Sequence, residues 1–116
     1  MPIADSKSLT VILDRDNRVF YYYGDWDNSL RKKEIGITGY PMNNGIGNII
    51  RQKQKTLEEQ NPHREKSNEL MLVIKAGERS DYKNLVDILD EVLINNVKHY
   101  ALVELTEAEK NYMEMQ

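Results

Sequence analysis

Residues 70–105 read LMLVIKAGERSDYKNLVDILDEVLINNVKHYALVEL, and this stretch decides the fold. Leu70 to Ile74 is apolar on both faces, as expected of a central strand covered on at least one side. Ala76-Gly77 ends that strand. Ser80 or Asp81 then caps a helix, and the Asp81 carboxylate suits the positive helix N-terminus. Tyr82, Leu85, Val86, Leu89, Val92 and Leu93 follow the helical period and are expected to form its core stripe. Asp87, Asp90 and Glu91 fall outside the stripe. Asn95-Asn96 stops the helix, and His99 to Leu105 reads as a last strand. Two strands joined by one helix are expected to be parallel, with a right-handed crossover.

The flanking sequence extends the sheet. Upstream, Asn44-Gly45 is a helix start, followed by Ile46, Ile49, Ile50, Lys53 and Leu57 on one stripe. Arg51, Gln52, Gln54 and Lys55 read as the outer face, and the helix is expected to end near Gln60, before Pro62. Glu58 to Glu69 reads as a polar connector. Nearer the N-terminus, Leu9, Val11 and Leu13 alternate with Thr10 and Ile12. The turn-tolerant run Asp14-Arg15-Asp16-Asn17-Arg18 follows, then Val19-Phe20-Tyr21-Tyr22-Tyr23 and Gly24. Two strand patterns about a short Asx-rich turn are a hairpin. Asp25 to Asn44 is irregular, with Lys33 to Tyr40 open to either a loop or a short strand carrying Ile35 and Ile37 on one side. Thr106 to Gln116 is a polar tail with helical potential.

The expected fold is therefore α+β: a mixed four- to five-stranded sheet with two helices on one face, in the order β-β-α-β-α-β. All 116 residues belong to one domain, with an insert loop at 25–45 and a C-terminal tail at 106–116. Composition agrees: 40% hydrophobic and 30% charged residues mark an ordinary globular chain. A net charge of -3 without a sustained basic stripe argues against a nucleic-acid partner. The absence of cysteine excludes disulfides and thiolate chemistry. No segment is apolar for the roughly 18 residues of a membrane span. Met1 to Asp5 lacks the features of a signal peptide.

Few residues suggest chemistry. The two histidines, His63 and His99, fall in a loop and a strand. Asp14-x-Asp16 lacks the glycine and distal glutamate of a calcium loop. Gly45-Ile46-Gly47 lacks the lysine and hydroxyl of a phosphate loop, and no nucleophile elbow occurs. Asp87, Asp90 and Glu91 read as a solvated helix face. No cofactor, metal or enzymatic activity is expected. Phe20 to Tyr23 is unusual because rings occupy both faces of one strand. Either one face is core and the other covers the insert with Trp26, or the rings line a peptide groove, since strand addition combines main-chain bonds with side-chain pockets.

From Leu70 onward the chain resembles the periplasmic domain of the ExbD/TolR family. The likeness is carried by Leu72-Val73-Ile74-Lys75-Ala76, by Asp81-Tyr82-Lys83-Asn84-Leu85-Val86-Asp87-Ile88-Leu89-Asp90 and by Tyr100-Ala101-Leu102-Val103. The hairpin from Leu9 to Tyr23 is similar to the family's first strand pair. The resemblance implies an accessory subunit of a proton-motive-force-driven motor, on the periplasmic face of the bacterial inner membrane. Its implied partners are a second copy of itself, a TonB-like energy transducer, and an ExbB-like channel subunit reached through a transmembrane helix. That helix and its proton-carrying aspartate do not occur in this sequence, so Met1 is expected to be an artificial start and this piece to conduct no protons. The insert is longer than the family's usual link.

The residues expected to bind partners are Tyr21, Tyr22, Tyr23, Asp90, Val92, Leu102 and Val103, with an uncovered edge strand as the dimer contact. Two alternatives stand beside this reading. One is a TolR-like domain that holds peptidoglycan. The other is a free-standing α+β module that binds a metabolite or peptide.

Overall fold

A computed structural model describes residues 7–40, 45–60 and 70–116. Its elements are β1 (Ser8–Leu13), a 3-10 turn (Arg15–Asn17), β2 (Val19–Tyr23), α1 (Trp26–Arg31), β3 (Gly36–Thr38), α2 (Ile46–Gln60), β4 (Met71–Ala76), α3 (Tyr82–Ile94), β5 (His99–Leu102) and α4 (Glu107–Glu114). The five strands form one mixed sheet in the order β3-β2-β1-β4-β5. The fold is α+β, as the sequence implies. The hairpin β1–β2 is antiparallel with Leu9 opposite Tyr23, and its turn places Asp16 and Asn17 at positive φ, which Asp and Asn tolerate. β4 pairs parallel to both β1 and β5, so it is central.

Alternation along the strands divides the core in two. Leu9, Val11, Leu13, Val19, Leu72 and Ile74 face α2 and α3 and meet Ile46, Ile50, Leu57, Ile88 and Val92. Ile12, Phe20 and Tyr22 face the other way, against Met113, with Trp26, Ile35, Leu105 and Tyr112 packed around them. The expected pair of helices thus covers one face, and the tail helix α4 covers part of the other.

Helix ends explain the orientation of α3. Asp81 accepts from the Asn84 backbone N–H, and Asn84 accepts from the Asp81 backbone N–H, closing a capping box. The Asn84 amide also donates to Asn17 Oδ1 at 2.9 Å, tying the helix start to the hairpin turn. At the other end Val97 N donates to Val92 O and Asn96 N to Leu93 O, with Asn96 at φ 54°. This is a Schellman stop, with Val92 and Val97 making its buried apolar contact. So held, α3 buries Asn84, Ile88 and Val92 and half-buries Leu85 and Leu89. The expected core stripe is corrected here: Tyr82, Val86 and Leu93 are exposed. The apolar arc of α3 is wider than the sheet beneath it can cover.

Two further corrections concern the neighbouring elements. Gln54 is buried rather than outward, and its amide donates to Asn95 O at 2.9 Å, capping α3. The insert also holds a helix that the sequence reading did not foresee, α1, started by Asp25 accepting from Asn28 N. Gly47 of α2 lies against the Glu91 carboxylate of α3: a Cβ there would meet Oε1 at 2.4 Å, and that flexible side chain would have to move. The connector residues 61–69, His63 included, and the helix start at Asn44 lie outside the described residues.

Candidate functional site

The residues expected to bind partners do not come together, and two of them, Tyr22 and Val92, are buried. Tyr21 and Tyr23 stand on the α2 side of β2, beside Ile49 and Gln52. Tyr22 points to the other side, where its hydroxyl donates to Glu109 Oε2 at 2.7 Å. Asp90 is exposed on α3, and Leu102 and Val103 are exposed at β5. β1 and β4 separate β2 from β5, so the tyrosines and Leu102–Val103 make no common site. Tyr22 and Val92 are corrected: both are buried in the core and offer no open contact.

Among the described residues, most of the exposed large apolar side chains lie along α3 and β5. Tyr82, Val86, Leu89 and Leu93 repeat at helical spacing down the outer side of α3. Tyr82 is 80% exposed, Leu93 78%, Ile94 70% and Leu102 60%. Tyr100 pairs with Leu72 and Leu102 with Ile74, which puts both on the α3 side of β5. A cleft of about 250 Å³ runs between Leu89, Leu93, Asn96 and Tyr100, floored by Val92 and Val97. β5 is the outermost strand, with no strand beyond it among the described residues. An edge strand offers unpaired N–H and C=O groups, and an apolar patch beside it marks an interaction surface.

The opposite side of the sheet holds a buried polar cluster that the sequence reading missed. Lys75 Nζ donates to Glu109 Oε1 at 2.8 Å and Oε2 at 2.9 Å. Glu109 is 1% exposed and also accepts from Thr106 N at 2.8 Å, as the third residue of a capping box. Burial alone would raise the Glu109 carboxyl, but Lys75, Thr106 N–H and the Tyr22 hydroxyl together hold it below the ordinary glutamate range. The Tyr22 phenol is pushed up, first by burial and then by its bond to Glu109. A second cluster joins the same layers. The wholly buried Asp14 accepts from Arg18 at 2.7 Å and from two nitrogens of Arg79 at 3.1 Å, and Arg79 also donates to Met113 O. Each charge satisfies another, so these clusters fasten α4 to the sheet. The sign in the sequence was Lys75 itself, a lysine within an apolar strand that needs a carboxylate.

Among the described residues no group of three His, Cys, Asp or Glu side chains comes together as a metal site. No described helix is long and apolar enough to cross a membrane. Comparison with protein-family models, with curated proteins and with solved structures finds no match to this chain.

Proposed function

We propose that this chain is the periplasmic domain of an ExbD/TolR-like accessory subunit of a proton-driven motor at the bacterial inner membrane. In this reading the domain dimerises and docks an extended segment of a TonB-like energy transducer, while an ExbB-like channel subunit engages a membrane helix outside this chain. The observation that carries the docking role is the apolar edge of α3 and β5, where main-chain groups and large side chains are open together. An added strand would pair with β5 and place side chains over the cleft at Leu89 and Tyr100. The coupling would be mechanical: one charge crossing the membrane field is worth about 2.3 kcal/mol per 100 mV, enough to shift a two-state element more than tenfold. The resemblance in Leu72–Ala76, Asp81–Asp90 and Tyr100–Val103 supports the family, and the strand–helix–strand order is compatible with it.

The test is a titration of the isotopically labelled domain with the periplasmic segment of its organism's TonB-like protein. Saturable amide shifts at 99–103 and along 82–94 are expected. A response confined elsewhere, or none, would sink the docking role. Saturable retention on purified sacculi would favour the peptidoglycan-holding alternative.

A further inference from the structure

α4 meets the sheet along one narrow line. Leu105, Glu109, Tyr112 and Met113 turn inward at helical spacing, while Glu107, Ala108, Asn111 and Glu114 are exposed. Of the inward side chains only Met113 is both apolar and buried. Its Cε lies beside Gly77, 3.1 Å from where a Cβ there would stand. Space is left beside the line. A cavity of about 50 Å³, with room for water, adjoins Met113 and Arg79. A wider cleft of about 530 Å³ opens between Trp26 and Thr106 and reaches Lys75 and Glu109.

Charge therefore carries much of the attachment. Glu109 accepts two bonds from Lys75 of β4 and one from Tyr22 of β2. Farther along, Arg79 donates to Met113 O and is itself held by Asp14. Lys110 comes within 3.7 Å of Glu78 and 3.8 Å of Glu107, but these pairs are solvated and worth little. A helix of eight residues does not persist alone in water, so α4 depends on its anchors. The charged and titratable groups facing Glu109 are Lys75 from β4 and Tyr22 from β2, with Asp25 and Asp27 across the cleft at the start of α1. Those facing Asp14 are Arg18 and Arg79. Protonating Glu109 leaves the buried Lys75 ammonium without its anion, a costly state. The larger core, between the sheet and α2 and α3, contains no residue of α4 among those described, so it can outlast the loss of α4.

We infer that α4 is a charge-locked lid on the second face of the sheet: protonation of Glu109 releases it as one unit, baring Ile12, Phe20 and Tyr22, while the sheet with α2 and α3 stays folded. The direction follows from the site. The docked Glu109 carboxyl sits below the ordinary glutamate range and returns to that range on release, so the lid is closed at neutral pH and acid opens it. None of this depends on the family resemblance.

The chain carries its own reporter. Trp26 is its one tryptophan, and the ring meets Tyr112 of α4 edge to face at 5.4 Å. The full chain is titrated from neutral to acid pH, following Trp26 emission, far-UV circular dichroism and amide exchange corrected for intrinsic rates. Trp26 emission should shift to the red, and protection over 107–116 should fall at least about tenfold, at a higher pH than protection over 9–13 and 72–76 is lost. Glu109→Ala should show the released spectrum already at neutral pH. Glu109→Gln, which has no proton to gain, should lose the acid step. Coincident loss of Trp26 contact, protection at every site and circular dichroism in the wild type would overturn the inference, because α4 would then leave only with the whole fold. That result stands even if the variants fail to fold. An acid step that persists unchanged in Glu109→Gln would also overturn it, placing the trigger at another carboxylate such as Asp14.

Discussion

At the residue scale, Glu109 is the side chain on which most depends. Its carboxylate is buried, neutralises Lys75, accepts from Tyr22 and closes the capping box of α4. Glu109→Ala would leave a buried ammonium and a buried phenol without their partner. Breaking a buried pair from one side costs about 3 kcal/mol or more, so the melting temperature should fall by on the order of 10 °C. Glu109→Gln keeps the shape and should restore part of the loss. The pH dependence has a definite sign. The folded pKa of Glu109 lies below its ordinary value of 4.5, so its contribution is full above that pH and fades as pH falls through the lower folded value. Urea titrations across this acid range should show wild type losing stability more steeply than Glu109→Gln; equal slopes would count against the assignment. Lys75 hinted in the sequence that such a carboxylate must exist. Nothing local indicated that it lay 34 residues away, on a tail that reads as polar. Asp90 is the opposite case, exposed beside the apolar edge and free of core duties. Asp90→Ala should melt within about 0.5 kcal/mol of wild type and weaken binding of the proposed transducer segment. If stability falls and binding holds, its role is structural.

At the element scale, α3 shows what periodicity reads well and what it misses. Its start, its stop and its crossover between parallel strands were legible, because Asp81, Asn95-Asn96 and the apolar run at Leu70 are local signals. The hairpin was legible for the same reason, through the alternation of Leu9, Val11 and Leu13 and the Asx-rich turn. The rotation of α3 was not. Its apolar arc spans Tyr82 round to Ile88, and only contacts from distant elements, such as Asn84 with Asn17, select the buried half. α1 was missed because six residues with one apolar side chain packed on the core, the partly buried Trp26, carry no period. The two halves of the α3 arc should respond differently to a charge. Ile88→Asp puts a carboxylate into the core and should cost about 5 kcal/mol or more, the scale of a small domain's whole stability. Leu93→Asp, on the open side, should leave the melt within about 0.5 kcal/mol of wild type. Circular dichroism melts of the two variants decide this, and similar losses would mean that the helix face is misassigned.

At the scale of the whole molecule, the sheet is covered in its middle, and among the described residues no strand lies beyond β3 or β5. α2 and α3 shield one face, α4 shields part of the other, and β3 and β5 remain as edges. The partner residues suggested by sequence scatter between these edges because strand order is a long-range property: no feature of Tyr21 or Leu102 tells that β1 and β4 lie between them. The β5 edge is flanked by large apolar side chains, so self-association through it should depend little on salt. A two-fold pairing there would bring β5 and the outer side of α3 against their own copies, burying Leu93 and Leu102 from both chains. Sedimentation equilibrium should therefore find a monomer–dimer equilibrium whose constant changes less than about threefold between low and high salt. The double variant Leu93→Asp with Leu102→Asp should sediment as a monomer at every concentration, because two like charges would face their counterparts across the axis. A dimer that survives this substitution, or that dissociates in salt, would place the contact on another surface. A transducer segment docked as proposed would compete with the second copy for the same strand, so a saturating transducer peptide should shift the wild-type equilibrium toward monomer.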